Sequence, residues 1–175
     1  MEKITIIING VGGCGKDTLV ELASKYHKVK NISSITPVKE IAKQCGWNGE
    51  KTDKARKFLS DLKKLLTEYN EFPMQYLLKE QEEFLLTDEE LLFVHIREPQ
   101  EIEKFKNVSK TETYALLVLP REELKNKVYG NKSDDEVNNY DYDLVFANDK
   151  PLDIIEKEWA NFVEEQILKA KDIEK

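Results

Sequence analysis

Four of the chain's seven glycines lie within six consecutive residues, at positions 10, 12, 13 and 15. They follow a short, largely β-branched run, 3–9, and precede an amphipathic segment that begins at Lys16. Two glycines separated by four residues and followed by lysine form a phosphate-binding loop, because glycine lets backbone N–H groups turn towards phosphate oxygens. The start of the following helix adds partial positive charge. Phosphate contacts are therefore predicted from Gly10, Val11, Gly12, Gly13, Cys14, Gly15, Lys16, Asp17 and Thr18.

The same glycines also match a second pattern, the dinucleotide-binding fingerprint, with Gly10, Gly12 and Gly15 in place. That pattern requires an acidic residue about 20 positions further along, where the second strand ends. No Asp or Glu occurs between Glu21 and Glu40, and the lysine at position 16 suits the phosphate loop better. The dinucleotide fold and a tight turn without a ligand are the two alternatives.

The rest of the chain alternates short apolar runs with amphipathic segments. The predicted strands are 3–9, 29–35, 91–96, 114–119 and 144–147. The predicted helices are 16–26, 37–45, 53–69, 73–86, 99–106 and 151–171. This alternation predicts an α/β domain with a parallel sheet, and the polar segment 122–140 is predicted to be a loop or a helical flap.

The composition of the chain limits the classes of partner and function that we expect. The chain has 175 residues, which corresponds to about one domain. Its net charge of −7 argues against a nucleic acid polymer as partner, since an acidic protein gains little from counterion release. No apolar run approaches the roughly 20 residues of a membrane span, and no signal peptide is recognisable. Cys14 and Cys45 do not suggest a disulfide framework. We expect a cytoplasmic monomer or homodimer that acts on small molecules without contacting a membrane.

The residues that follow Lys16 resemble those of a known protein family. Ser or Thr usually follows directly, whereas here Asp17 intervenes before Thr18. This order resembles the nucleoside monophosphate kinases, and the string GKDT is most similar to their deoxynucleoside monophosphate kinase branch. The segment 36–40, TPVKE, resembles the D-P-L-K-E segment of that branch, and Arg97 resembles the arginine of its D-x-R segment. The resemblance is specific at 8–18 and looser elsewhere.

This resemblance implies a three-layer α/β/α P-loop fold with a five-stranded parallel sheet in the order 2-3-1-4-5 and a small lid. It implies phosphoryl transfer from ATP, with Mg²⁺, to a small phosphorylated acceptor, foremost a (deoxy)nucleoside monophosphate. Residues 36–86 would form a helical acceptor-binding region and 121–140 the lid, within a single kinase domain, 1–175.

Such a reaction needs positive charge and polar groups around both phosphates, and this requirement suggests roles for individual residues. The catalytic candidates are Lys16, Arg97 and Arg121. The acceptor-binding candidates are Thr36, Lys39, Arg56, Asp61 and Arg97. The candidate ligands of Mg²⁺ are Thr18 and Asp17. The carboxylate of Asp17 could instead contact the acceptor or act as a base.

Two features depart from the family pattern. The third strand ends with the residues His95-Ile96-Arg97, so that His95 aligns by resemblance with the Asp that ends a Walker B strand, and the segment 121–140 carries one arginine. The alternatives are a kinase for another phosphorylated metabolite, of the phosphomevalonate or dephospho-coenzyme A type, and a nucleotide-binding protein without turnover. Cys14 is either a thiol activated by the helix start or a small filler. The motif at 131–134, NKSD, matches a guanine-reading pattern, but it follows no buried strand, and we interpret it as chance.

Overall fold

Five strands form one parallel sheet in the computed structural model, which describes residues 3–125 and 136–169. The strands lie in the order β2-β3-β1-β4-β5, which confirms the predicted order 2-3-1-4-5. Because all neighbouring pairs are parallel, the carboxyl ends of the strands meet at one edge. The strands are β1 (Ile4–Asn9), β2 (Val29–Ser33), β3 (Leu91–His95), β4 (Glu112–Leu119) and β5 (Leu144–Ala147).

Helices occupy most of the connections between strands. They are α1 (Lys16–Ala23), α2 (Thr36–Gln44), α3 (Asp53–Asn70), α4 (Phe72–Leu86), α5 (Pro99–Val108), α6 (Glu122–Lys125) and α7 (Leu152–Phe162). The last helix continues as a π-helical segment, Val163–Leu168. Within the described ranges, none of the helices combines the length and the apolar character that a bilayer crossing requires.

Several boundaries differ from the predicted ones. β2 ends at Ser33 rather than at residue 35, because the chain turns there and enters α2 at Thr36. β4 begins at Glu112, two residues earlier than predicted, because its parallel pairing with β1 extends back to that residue. α1 ends at Ala23 rather than at residue 26, and the amides of residues 25 and 26 bond to carbonyls three residues back.

Both faces of the sheet are covered, which explains why its central strands are almost entirely apolar. On one face, α1 and α7 pack around Trp159, whose indole Nε1 donates a hydrogen bond of 2.7 Å to the carbonyl of Leu19. On the other face, α4 and α5 bury Phe84 and Phe105 against the strands. The result is the expected three-layer α/β/α arrangement.

The connections after β1 and β3 leave the sheet side by side. Ile8 and His95 are partners in the register of these two central strands, so the glycine loop begins next to the end of β3. In open α/β sheets, ligands bind at the carboxyl edge, where neighbouring connections diverge to opposite faces. The glycine loop and residues 95–98 therefore form the region where the fold leads us to expect a ligand.

Candidate phosphate-binding site

The glycine loop turns sharply between β1 and α1, and two of its glycines cannot carry a side chain. Gly10 has φ +151°, and a Cβ there would lie 2.6 Å from Cys14 Sγ and 2.7 Å from the carbonyl oxygen of Val118. Gly15 has φ +90°, and its Cβ would lie 2.3 Å from Nδ2 of Asn148. That same Nδ2 donates a 2.7 Å hydrogen bond to the carbonyl of Cys14. The loop is thus tightly enclosed by β4 and by the residue that follows β5.

Lys16 places its ammonium group against the inner side of the loop. Its Nζ donates to the carbonyl of Gly10 at 2.5 Å and to that of Val11 at 3.1 Å. The positive charge therefore lies close to the first turn of α1, whose N–H groups are directed towards the loop. A cation and a helix N-terminus at one point favour the binding of an anion, and phosphate in particular.

Cys14 is a buried residue of the loop, with 3% of its surface exposed. Burial raises the pKa of its thiol above the ordinary value, although the nearby charges of Lys16 and Arg97 oppose this rise. The thiolate form is therefore disfavoured at neutral pH, and the side chain fills space beneath Gly10. Of the two interpretations that the sequence allows, the structure favours the small filler.

Asn9 connects the loop to two other segments and was not among the residues predicted from the sequence. Its side chain is fully buried, and its Oδ1 accepts a 2.8 Å hydrogen bond from the amide of Gly10. Its Nδ2 donates to the carbonyl of Arg97 at 3.0 Å and to the hydroxyl of Tyr142 at 2.8 Å. The Tyr142 hydroxyl in turn donates to the carbonyl of Val137 at 2.7 Å. A single polar residue at the end of an apolar strand was the only signal in the sequence.

Arg97 follows β3 directly and lies close to the loop. Burial raises the pKa of the Cys14 thiol and lowers that of the His95 imidazole, and the positive charge of Arg97 opposes the first shift and adds to the second. The backbone of Arg97 lies next to the start of the loop, because its carbonyl accepts the hydrogen bond from Nδ2 of Asn9. The next residue, Glu98, accepts a 2.6 Å hydrogen bond from Nζ of Lys63 on α3.

His95 occupies the position at which an acidic metal-binding residue was expected. Its Nε2 lies 2.9 Å from Oδ1 of Asn31 on β2 and 3.8 Å from Oδ1 of Asp17. Burial is the largest cause that lowers the pKa of His95 to about 4, with Lys16 and Arg97 acting in the same direction against the carboxylate of Asp17. The imidazole is therefore neutral near pH 7 and can donate or accept hydrogen bonds without adding charge.

The donors available for Mg²⁺ are oxygen atoms on α1. Asp17 and Thr18 are both exposed at the start of this helix, and the side chain of Asp17 is 88% exposed. Carboxylate and hydroxyl oxygens suit Mg²⁺, which keeps several waters and needs few protein ligands. Over the described residues there is no group of three or more His, Cys, Asp or Glu side chains that could enclose a metal. The donor set thus fits a Mg²⁺ ion shared with phosphate groups.

Four of the five predicted acceptor residues lie on α2 and α3. Thr36 lines a groove of about 470 Å³ between α2 and the start of α4. Lys39 and Arg56 are exposed. Asp61 forms an exposed 2.5 Å ion pair with Lys57, about 140° around α3 from Arg56, so the structure does not bring these two candidates together. The groove is lined by Thr36, Pro37, Glu40, Ile41, Gln44, Phe72 and Tyr76.

The predicted lid falls partly outside the described residues. Arg121 is exposed and precedes the four-residue helix α6. Residues 126–135, with the NKSD motif, lie outside the described part of the chain. The returning segment is anchored at Val137, which is buried, and at Tyr140, whose hydroxyl donates to Glu103 at 2.9 Å.

Comparison with known proteins gives a match at the level of structure only. No protein-family profile matches the chain, and no curated protein is similar to it in sequence. A shikimate kinase from Aquifex aeolicus has 13% identity and a TM-score of 0.48, over 95% of this chain and 98% of that one. A gluconokinase from Sinorhizobium meliloti has 15% identity and a TM-score of 0.48, over 97% of each chain. A shikimate kinase from Bacteroides thetaiotaomicron has 18% identity and a TM-score of 0.48, over 93% of this chain and 98% of that one. Similarity this low assigns neither a family nor a substrate to the chain.

We expect the free energy of unfolding to decrease as pH falls from about 6.5 to about 4. The unfolded chain protonates His95 near its ordinary pKa of 6.5, whereas the folded protein does so only near 4. The contribution of the neutral imidazole is complete above pH 6.5, and roughly 2–3 kcal/mol of it is lost by pH 4.5. Urea unfolding at pH 7 and 4.5 should give a smaller difference for His95→Gln than for the wild type. An equal difference in the two proteins would contradict the assignment.

We expect iodoacetamide to modify Cys45 but not Cys14 in the folded protein at pH 7.5. Cys45 is exposed, whereas Cys14 is buried and burial raises its thiol pKa. Peptide mapping by mass spectrometry before and after unfolding in urea measures both sites in one sample. Rapid native modification of Cys14 would show that the loop is more open, or its thiol more acidic, than the structure indicates.

Proposed function

We propose that this protein is a P-loop kinase that transfers the γ-phosphoryl group of ATP to a small phosphorylated acceptor, foremost a (deoxy)nucleoside monophosphate. The observation that carries the proposal is the ammonium group of Lys16 inside a glycine loop at the N-terminus of α1. This arrangement suits a polyphosphate, because backbone N–H groups, helix dipole and ammonium converge on one anion. Arg97, placed beside the loop, supports a site for two phosphorylated molecules.

The reaction needs no covalent intermediate on the protein. An oxygen of the acceptor phosphate attacks the γ-phosphorus in line, the bond to the β–γ bridging oxygen breaks, and ADP leaves with that electron pair. Lys16 and the loop amides stabilise the charge that develops on the transferred group, and Arg97 holds the acceptor phosphate against it. Arg121, which follows β4 at the same sheet edge, is proposed to add a third positive charge from the lid.

Asp17 and Thr18 are the residues proposed to hold Mg²⁺. When bound, the ion neutralises charge on the β- and γ-phosphates. The imidazole of His95 lies near Asp17 and, being neutral, adds no positive charge that would compete with the cation. Since Mg²⁺ keeps much of its water shell, two protein oxygens and the nucleotide are sufficient.

The acceptor is proposed to bind between the loop and the groove that Thr36 lines. Lys39 and Arg56 would attract its phosphate, while the groove offers the aromatic rings of Phe72 and Tyr76. Glu40 and Gln44, on the same wall, present a carboxylate and an amide. Aromatic faces with a few hydrogen-bonding groups are suited to a planar nucleobase, and this favours a nucleotide acceptor over a branched or sugar-like one.

A nucleotide-binding protein without turnover is the second candidate. The neutral histidine at the end of β3 favours it, since the carboxylate that usually assists the metal there is replaced by an uncharged group. Such a protein would bind ATP through the same loop, and acceptors would leave the rate of ADP formation unchanged.

We expect ADP release from Mg·ATP to be stimulated by one nucleoside or deoxynucleoside monophosphate in a panel that also contains phosphomevalonate and dephospho-coenzyme A. Lys16→Ala should reduce the stimulated rate about 100–1000-fold, because it removes charge from the transferring phosphate. Lys25→Ala is the matched control, since Lys25 pairs with Glu156 on the surface, and it should keep the wild-type rate. A coupled assay for ADP measures all three proteins.

The other outcomes separate the candidates. Stimulation by a non-nucleotide alone would support the kinase activity but would show that the acceptor is not a nucleotide. ATP binding without stimulation by any member of the panel would contradict the nucleotide kinase and favour the binding protein. Loss of rate in Lys25→Ala equal to that in Lys16→Ala would show that the assay reports stability rather than chemistry.

A further inference from the structure

Helix α3 leaves a large part of its apolar surface exposed. Of its 18 residues, only Ala55 is buried within the described structure. Phe58, Leu65 and Tyr69 are 37%, 63% and 82% exposed. Tyr69 and Leu65 are among the most exposed large apolar side chains in the described part of the chain, and they lie one turn apart. An exposed apolar stripe of this kind commonly marks an interaction surface.

The stripe has the spacing of a helix-pairing seam. Phe58, Leu62, Leu65 and Tyr69 follow one another at intervals of four, three and four residues. Intervals of three and four keep side chains in line on one face of a helix, and they are the intervals at which two helices pack side by side. We refer to these four residues as the α3 seam. Its length is about 17 Å, or three helical turns.

The seam is directed away from the phosphate-binding site. Lys63 bonds to Glu98 at 2.6 Å, next to Arg97, and so identifies the side of α3 that faces the loop. Phe58 is five residues from Lys63, which places it about 140° around the helix. Arg56 is seven residues from Lys63 and lies within about 20° of it, on the side of the site. A partner on the seam would therefore leave the proposed acceptor side accessible.

A row of alternating charges borders the seam on its outer side. Lys57 pairs with Asp61 at 2.5 Å, and Lys64 with Glu68 at 3.7 Å. Along the helix the signs are therefore plus, minus, plus, minus. When this row is reversed, as in an antiparallel second copy, every positive charge lies opposite a negative one. In a parallel pair the two rows would lie on opposite sides of the interface and would not meet, so the row is self-complementary in the antiparallel direction only.

We propose that two copies of this chain pair through α3, antiparallel and about a two-fold axis near its middle. Phe58 then contacts Tyr69 of the second copy, and Leu62 contacts Leu65. The same arrangement places Lys57 opposite Glu68 of the second copy and Lys64 opposite Asp61. A two-fold interface uses the same patch on both molecules, and both the apolar seam and the charge row meet that requirement.

The expected dimer is weak. A seam of three turns buries less than the roughly 1,200–2,000 Å² of a standard stable interface, so the dissociation constant should lie in the micromolar range. Sedimentation equilibrium of the full chain from about 1 to 200 μM should therefore show a reversible monomer–dimer equilibrium. A wild-type protein that stays monomeric over this range would overturn the proposal.

Substitution of the seam gives a direct test. Leu65→Glu places a carboxylate opposite Leu62 twice in the centre of the interface and should raise the dissociation constant at least about a hundredfold. Leu86→Glu is the matched control, because Leu86 is 89% exposed at the end of α4 and lies outside the seam. It should dimerise as the wild type does. Thermal unfolding followed by circular dichroism checks that both variants are folded. Equal effects of the two substitutions, or no effect of Leu65→Glu, would overturn the proposal.

Charge-reversal variants distinguish ion pairs between the two copies from ion pairs within one helix. Lys57→Glu or Glu68→Lys alone creates two like-charge contacts across the two-fold axis and should weaken the dimer about tenfold. The double variant restores both contacts between copies, although it breaks both ion pairs within α3, and should dimerise nearly as the wild type. A mixture of the two single variants should likewise form a mixed dimer. If the double variant dimerises no better than the single ones, the antiparallel pairing is wrong.

Discussion

The buried amide of Asn9 is the interaction on which the site depends most. It ends the central strand and makes hydrogen bonds to the amide of Gly10, the carbonyl of Arg97 and the hydroxyl of Tyr142. One side chain thereby fixes the first residue of the glycine loop, the backbone of the proposed acceptor arginine and the segment around Tyr142. Burial raises the pKa of Tyr142 to about 12, so its hydroxyl stays protonated and can donate to Val137. The relative positions of three functional segments thus follow from one fully satisfied polar residue.

The sequence was sufficient to predict the parallel sheet and the glycine loop, because both are encoded locally, whereas the strand order was implied only by the family resemblance. Apolar runs such as 4–8 and 91–94 are typical of strands buried on both faces, and the loop requires glycine at particular positions. Asn9, Tyr142 and Asn148 were missed because they act through partners distant in the chain, and no local pattern marks such contacts. The sequence also did not show that Asp61 lies on a different side of α3 from Arg56. Helical periodicity alone does not tell which polar side of a helix faces the sheet edge. The proposed roles of Arg56, Lys39 and Arg121 stay predictions.

The charge distribution of this site differs from that of a site in which a metal-binding carboxylate ends the third strand. Here the neutral His95 stands between the carboxylate of Asp17 and the amide of Asn31, and positive charge comes from Lys16 and Arg97. The site therefore retains a net positive character towards phosphate within an acidic protein of net charge −7. In our account, recognition of phosphate comes from the loop and its two cations, and the acceptor is selected in the groove between α2 and α4.

The central claim is that the loop binds the phosphates of ATP, and calorimetric titration of the wild-type chain with ATP and with adenosine tests it most directly. Our account predicts that ATP binds at least about a hundredfold more tightly than adenosine, because the phosphates supply most of the contacts. It also predicts that Gly10→Ala abolishes this preference, since the added Cβ meets Cys14 Sγ at 2.6 Å and the Val118 carbonyl at 2.7 Å. Equal affinity for ATP and adenosine, or no detectable binding of ATP, would contradict the account.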